Sequence, residues 1–179
     1  MATRRLTRQT DADIAASGSV IFLRAANVGG NSVFSPAALA KKLDLVNIGA
    51  AGTFVSRRRI AATTIAAELP FVTAIVVVPA ADLVALVDAG PPRTPADTTV
   101  FVSVLTTAAK NAPRLPIEFP AGDRWALRVV EQRGRFVIST RRVNLQRGFD
   151  LNAIIERAFG VPFTTRTWGT MARIRAALA

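Results

Sequence analysis

The sequence predicts an α+β protein made of two tandem ferredoxin-like (βαββαβ) sandwiches with antiparallel sheets. Three observations predict it. The chain has 179 residues, room for one ordinary domain or two small ones. Strand-like and helix-like segments follow in the order β-α-β-β-α-β, and that order then repeats. Between the repeats, Gly90-Pro91-Pro92-Arg93-Thr94-Pro95 has the composition of a linker. The repeat lies in the order of elements, not in residue identity. These signals divide the chain into a flexible basic arm over 1–17, a first domain over 18–90, a linker over 91–97 and a second domain with a C-terminal helix over 98–179.

In the first half, Ser19 to Arg24 is a short β-rich run bounded by the turn at Gly29 and Gly30. Ser35 as N-cap, Pro36 at the first helical position and Lys41/Lys42 late in the segment predict a helix with Leu39, Ala40 and Leu43 on one face. Gly52 to Ser56 and Ile60 to Ala62 read as strands around an Arg57-Arg58-Arg59 turn, followed by a short helix over Thr64 to Leu69. Val72 to Val78 is the strongest strand, and a helix over Ala80 to Asp88 closes the half.

In the second half, Thr99 to Leu105 predicts a strand and Thr106 to Asn111 a short helix, limited by Pro113 and Pro116. Trp125 to Glu131 and Arg135 to Thr140 form a hairpin around Arg133-Gly134. Asp150 caps a helix whose Leu151, Ile154, Ile155, Ala158 and Phe159 share a face, and Gly160 and Pro162 stop it. Val161 to Arg166 reads as a final edge strand. The last helix starts near Thr167 and carries Trp168, Met171, Ile174 and Leu178 on one stripe, which predicts that these four are core.

Composition narrows the chemistry. The chain contains no cysteine, histidine or tyrosine, which excludes disulfides, zinc fingers, thiol nucleophiles and imidazole bases. No pair of its 12 acidic residues has metal-ligand or glycosidase spacing, and Lys41, Lys42 and Lys110 fall on helix surfaces unsuited to a Lys nucleophile. No cofactor, metal or catalytic residue is expected. Nothing argues for an enzyme, although backbone and Arg groups can serve phosphoryl chemistry. With 50% hydrophobic and 20% charged residues the chain can bury a sizeable core. Its most apolar stretch, Thr73 to Val87, is interrupted by Pro79 and Asp82 and is short of the ~20 residues of a membrane span. The N-terminal stretch lacks the pattern of a secretory signal. The expected location is the bacterial cytoplasm, with no membrane partner.

The formal charge is +11, and it is uneven: residues 1–90 carry 9 basic and 6 acidic groups, residues 91–179 carry 14 and 6. Such a field attracts polyanions at low salt. Part of it has a neutral explanation, because 20 of the 23 basic residues are Arg and Ala numbers 32, a bias that a GC-rich genome produces by itself. Candidate polyanion contacts are the Arg57-Arg58-Arg59 turn, suited to bidentate phosphate contacts, and Arg124, Arg128, Arg135, Arg141 and Arg142 along the second sheet. If these arginines line an open sheet face, a nucleic-acid strand could lie there. Only Phe136 is available for base stacking, so electrostatics carries this reading. Asn27-Val28-Gly29-Gly30-Asn31-Ser32 is a loop between strand and helix whose backbone N–H groups can form an anion nest; it lacks the P-loop and dinucleotide patterns, and a tight turn explains it equally well.

Two segments carry a resemblance. Leu23-Arg24-Ala25-Ala26-Asn27-Val28-Gly29-Gly30-Asn31 resembles the L-R-G-x-N-V-G-G-x signature of the bacterial domain-of-unknown-function family 1697, and Thr165-Arg166-Thr167-Trp168-Gly169-Thr170 is similar to its closing T-R-N-W-N-T. Gly52-Thr53-Phe54-Val55 sits where that family has a T-Y-I strand. The resemblance runs from about Gly18 to the C-terminus and implies a tandem ferredoxin-like fold, with no activity attached. Departures mark the chain as divergent: Ser56-Arg57-Arg58-Arg59 replaces Q-S-G-N, and Leu145-Gln146-Arg147-Gly148-Phe149-Asp150 replaces a G-x-G-R-S-K-like stretch.

Two functional expectations follow. One is a non-catalytic binding protein for a polyanion such as nucleic acid. The other is a small-ligand-binding or degenerate enzyme-like protein with an interdomain pocket near Arg24, Asn27, Gly29, Gly30 and Arg166. A continuous basic stripe favours the first, and a concave pocket reaching the signature segments favours the second.

Overall fold

A computed structural model describes residues 17–24, 34–143 and 150–179. The first half supplies β1 (Ser19–Leu23), α1 (Pro36–Leu43), β2 (Val46–Gly49), β3 (Thr53–Ser56), α2 (Ala62–Ala66), β4 (Ile75–Pro79) and α3 (Ala80–Asp88). The second supplies β5 (Thr98–Leu105), β6 (Ile117–Phe119), β7 (Leu127–Arg133), β8 (Phe136–Arg142), α4 (Leu151–Phe159), β9 (Phe163–Thr167) and α5 (Trp168–Ala177). The strands form two antiparallel sheets, one in the order β2-β3-β1-β4 and the other in the order β6-β7-β8-β5-β9. The protein is therefore mixed α+β with a four-stranded and a five-stranded sheet. The basic arm, apart from Ser17, lies outside the described residues, as does the loop holding Asn27, Gly29 and Gly30.

Local chemistry sets the helix ends as expected. Ser35 Oγ accepts from Ala38 N at 3.2 Å to start α1, with Pro36 at its first position. Asp44 ends it at φ 54, turning the chain straight into β2. Asp150 Oδ1 accepts from Asn152 N at 2.8 Å to start α4, and Gly160, at φ 63, ends it in the left-handed region. Thr167 Oγ1 accepts from Thr170 N at 3.3 Å and starts α5.

Three expectations need correction. Ile60 to Ala62 is not a strand: the partner of β3 is β2, through a turn over 50–52, and the arginine turn instead leads into α2. Thr106 to Asn111 is not a helix. Prolines 113, 116 and 120, just beyond it, deny a helix any run past Ala112 and a strand any length, and the chain runs as turns to the three-residue edge strand β6, which makes the second sheet five-stranded. β4 begins at Ile75, and Val72 stands fully exposed.

Among the described residues, both faces of each sheet carry packed core. Ile21, Leu23 and Phe54 pack with Leu39, Ala40 and Ile65 of α1 and α2. The alternate residues of β1 and β3, Val20, Phe22 and Val55, with Val76 and Val78 of β4, join Val102, Val104, Phe136 and Ile138 of the second sheet. Leu83 and Leu86 of α3 complete that shared core with Met171 and Ile174 of α5 and Leu178 just beyond it. On its far side the second sheet packs Leu105, Val129, Val137 and Phe163 against Ile155 and Phe159 of α4. Of the four residues expected in the core from the last helix, Met171, Ile174 and Leu178 are buried, and Trp168 is half-buried against it.

Candidate functional site

The arginines expected to form a basic stripe are largely spent inside the molecule. Arg135 donates to the carbonyls of Leu105, Thr106 and Val77 at 2.9, 2.7 and 3.0 Å. Its burial lowers its pKa, opposed by nearby Asp82. Across Gly134, Arg133 reaches the Gly90 and Leu86 carbonyls at 2.9 and 3.4 Å and so caps the C-terminal end of α3. Arg128 donates through Nε to Glu118 Oε1 at 2.8 Å, and this bond is the main reason the Glu118 carboxyl is held below its ordinary pKa. Arg128 and Arg142 lie over the buried Trp125 ring at 5.0 and 4.5 Å, and Arg142 also lies 3.7 Å from Asp97. Arg57, Arg58, Arg59 and Arg124 are exposed. The turn holding the first three and the loop holding Arg124 belong to different halves, and no continuous stripe forms among the described residues.

Arg166 is the most engaged. Its Nε donates to Thr53 Oγ1 at 2.8 Å, Nη1 to Thr164 Oγ1 and Thr165 O at 2.8 Å each, and Nη2 to Leu23 O and Ala51 O at 3.0 and 2.6 Å. All five guanidinium donors are used. The group ties β9 to the end of β1 and the β2–β3 turn, and burial pushes its pKa down to about 10, so it stays charged at neutral pH. Arg24 pairs with Glu156 of α4 at 3.4 Å and lies 5.8 Å from the Phe163 ring. The two described members of the expected pocket, Arg24 and Arg166, thus act as links between the halves.

A concave site does exist beside Arg166. A cavity of about 480 Å³ opens between β5, β8 and β9 and the N-terminal turns of α4 and α5, with Phe101, Arg141, Asn152, Thr165 and Thr170 among its walls. Its floor follows from strand alternation. Along the α4-facing side of the sheet, Leu105 beside Phe163 gives way to Ser103 between Val137 and Thr165, then to Phe101 between Ser139 and Thr167, and then to Thr99 beside Arg141. The first row is apolar core; the later rows bring Ser, Thr and Arg side chains around Phe101. Ser103 and Thr165 share a 2.8 Å hydrogen bond, and Thr165 Oγ1 lies 3.5 Å from Asn152 Oδ1, which leaves the Asn152 amide N–H groups available. The Ser139 hydroxyl, fully buried on this face, has no partner among the described residues. Arg141, half-buried, makes no hydrogen bond or ion pair among them. At the α5 side Arg173 Nη2 donates to Thr170 Oγ1 at 3.4 Å.

Sequence reasoning named Arg141 and Arg166 but missed Asn152, Thr170, Phe101 and Ser139. Asp150, Asn152, Thr167 and Thr170 gave one local signal, two helix starts. That these starts meet over one sheet end is a tertiary fact. Among the described residues no cluster of acidic side chains could hold a metal ion, and no helix is long and apolar enough to cross a membrane. No protein-family model, curated protein or solved structure matches the chain.

Proposed function

We propose that this protein binds a small anionic molecule, without transforming it, in the cavity between the second sheet and the starts of α4 and α5. The observation that carries this reading is Arg141: a guanidinium with no partner among the described residues, on the one sheet face that turns polar. The chemistry is consistent. A partly desolvated Arg gains charge-assisted bonds from an anion, and two helix N-termini favour negative charge there. Arg166 adds positive potential but no free donor.

The same reading includes the finer fold. The order β2-β3-β1-β4, with α1 and α2 in the connections, supports a ferredoxin-like first unit. The order β7-β8-β5-β9 supports a second such unit that has β6 in place of its first helix. A divergent relationship to family 1697 stays part of this reading on its signature segments alone.

The test is thermal denaturation of wild type and Arg141→Gln with phosphate, sulfate and succinate. A ligand at 100 times its Kd adds ~2.7 kcal/mol, or roughly 5–10 °C for a chain of this size. Sulfate and phosphate also stabilise proteins non-specifically, so the expected result is a rise that Arg141→Gln loses. An equal rise in both proteins overturns the reading.

A second reading, binding of nucleic acid or another polyanion, rests on one observation: Arg57, Arg58 and Arg59 stand exposed in succession between β3 and α2. Its affinity would fall with salt at ~0.7–0.9 log units per log unit of salt for each phosphate neutralised.

A further inference from the structure

Resting on the cavity reading above, we infer that the group held at Arg141 is the phosphoryl end of an organic phosphate monoester. Donors come from three sides: the Arg141 guanidinium from β8, the Asn152 amide from α4, and the first backbone N–H groups of α5, where only Thr170 N is capped by the Thr167 hydroxyl. Gly169, in that first turn, has open space around it: an added Cβ would meet nothing nearer than Thr167 Oγ1 at 3.9 Å. The lone carboxylate bordering the cavity, Asp150, already accepts from Asn152 N. A carboxylate ligand presents two coplanar oxygens and satisfies one side of such a site. A phosphoryl group presents three terminal oxygens in a tripod and carries ~1.5–2 negative charges at neutral pH, which matches donors from three sides and the charges of Arg141 and Arg173 near one carboxylate. The cavity, about 480 Å³, exceeds what a bare ion fills, and Phe101 gives it an apolar wall for an organic body.

A pH series separates phosphate from carboxylate. Among the described residues, the charged side chains near the site are Arg141 on β8, Asp150 at the start of α4 and Arg173 on α5, with the Arg166 guanidinium on the opposite face of β9. The chain contains no histidine or cysteine, so no imidazole or thiol titrates near neutrality. A monoester gains its second charge around pH 6, and its affinity should rise about fourfold between pH 5.5 and 7.5 if only the dianion binds. A carboxylate shows no such rise.

The experiment is isothermal titration of the full chain with phenyl phosphate and benzoate, which share a ring, at both pH values. It is repeated on Arg141→Gln and Asn152→Ala, with circular dichroism confirming their folds. The expected result is phenyl phosphate binding that strengthens with pH and weakens about tenfold or more in Arg141→Gln. If benzoate binds as tightly with the same Arg141 dependence, the phosphate assignment is overturned and the anion cavity stands. If neither compound binds, or Arg141→Gln binds like wild type, both are overturned.

Discussion

Replacing Arg166 with alanine should cost stability rather than binding alone. The substitution removes the Arg166 donors to Thr53 Oγ1 and to the carbonyls of Leu23, Thr165 and Ala51, of which the Leu23 carbonyl keeps the Thr164 hydroxyl. A buried acceptor left open costs ~1–3 kcal/mol. The Ala51 contact lies at the surface and the Leu23 carbonyl keeps a donor, so Thr165 O and the buried Thr53 Oγ1 dominate, at ~2–6 kcal/mol. Loss of the side chain beside the Phe22 ring, 5.8 Å from the guanidinium carbon, adds ~1 kcal/mol. Against this, burial holds the pKa at about 10, a penalty on the charged form of roughly 3 kcal/mol that the variant no longer carries. The net loss is ~0–4 kcal/mol, and its midpoint near 2 kcal/mol corresponds to roughly 4–8 °C in Tm. Arg166→Lys keeps the charge but offers three donors from one atom and should fall between. Thermal unfolding followed by circular dichroism measures both. An Arg166→Ala variant melting above wild type would show that the five bonds do not hold the halves together, and would refute the reasoning.

Three further outcomes are expected. Met171→Ala empties part of the core shared by both sheets, where Met171 is fully buried, and should cost ~2–5 kcal/mol by urea denaturation. Gly160→Ala meets no atom within 4 Å but forces an L-residue to φ 63; the cost should be conformational, ~1 kcal/mol, measured the same way. Replacing Arg57, Arg58 and Arg59 together with Ala should leave Tm nearly unchanged, because exposed surface substitutions stay within ~0.5 kcal/mol each; fluorescence anisotropy with labelled oligonucleotides across a salt series then shows whether this turn carries any polyanion binding, through a loss of salt slope.

The elements that were legible in the sequence are those written in local chemistry. Ser35-Pro36, Asp150 and Gly160 fix helix ends within a few residues of themselves, and Ser19 to Leu23 is apolar enough to read as a strand in isolation. β2 and β6 were not legible. Val46 to Gly49 follows a helix after a two-residue connection, and Ile117 to Phe119 lies between prolines, so their strand character comes from pairing with β3 and β7. The arginines teach a similar lesson. Their number is plain in the sequence, but Arg133, Arg135 and Arg166 reach carbonyls 43 to 143 residues away. Much of the positive surplus of the second half thereby holds it against the first. The cavity was half visible: Arg141 stood out as a charge, whereas Ser103, Ser139 and Thr165 read as ordinary strand residues until register placed them on one face.

The most direct measurement of the central claim is a nitrogen-15 NMR titration of the full chain with phenyl phosphate, followed residue by residue. The account predicts saturable shifts at the Asn152 side-chain amide and at the Gly169 and Thr170 backbone amides, absent in Arg141→Gln, with the amides of Arg57 to Arg59 unmoved. Shifts confined to the Arg57–Arg59 turn, or spread over exposed arginines without saturation, would contradict it.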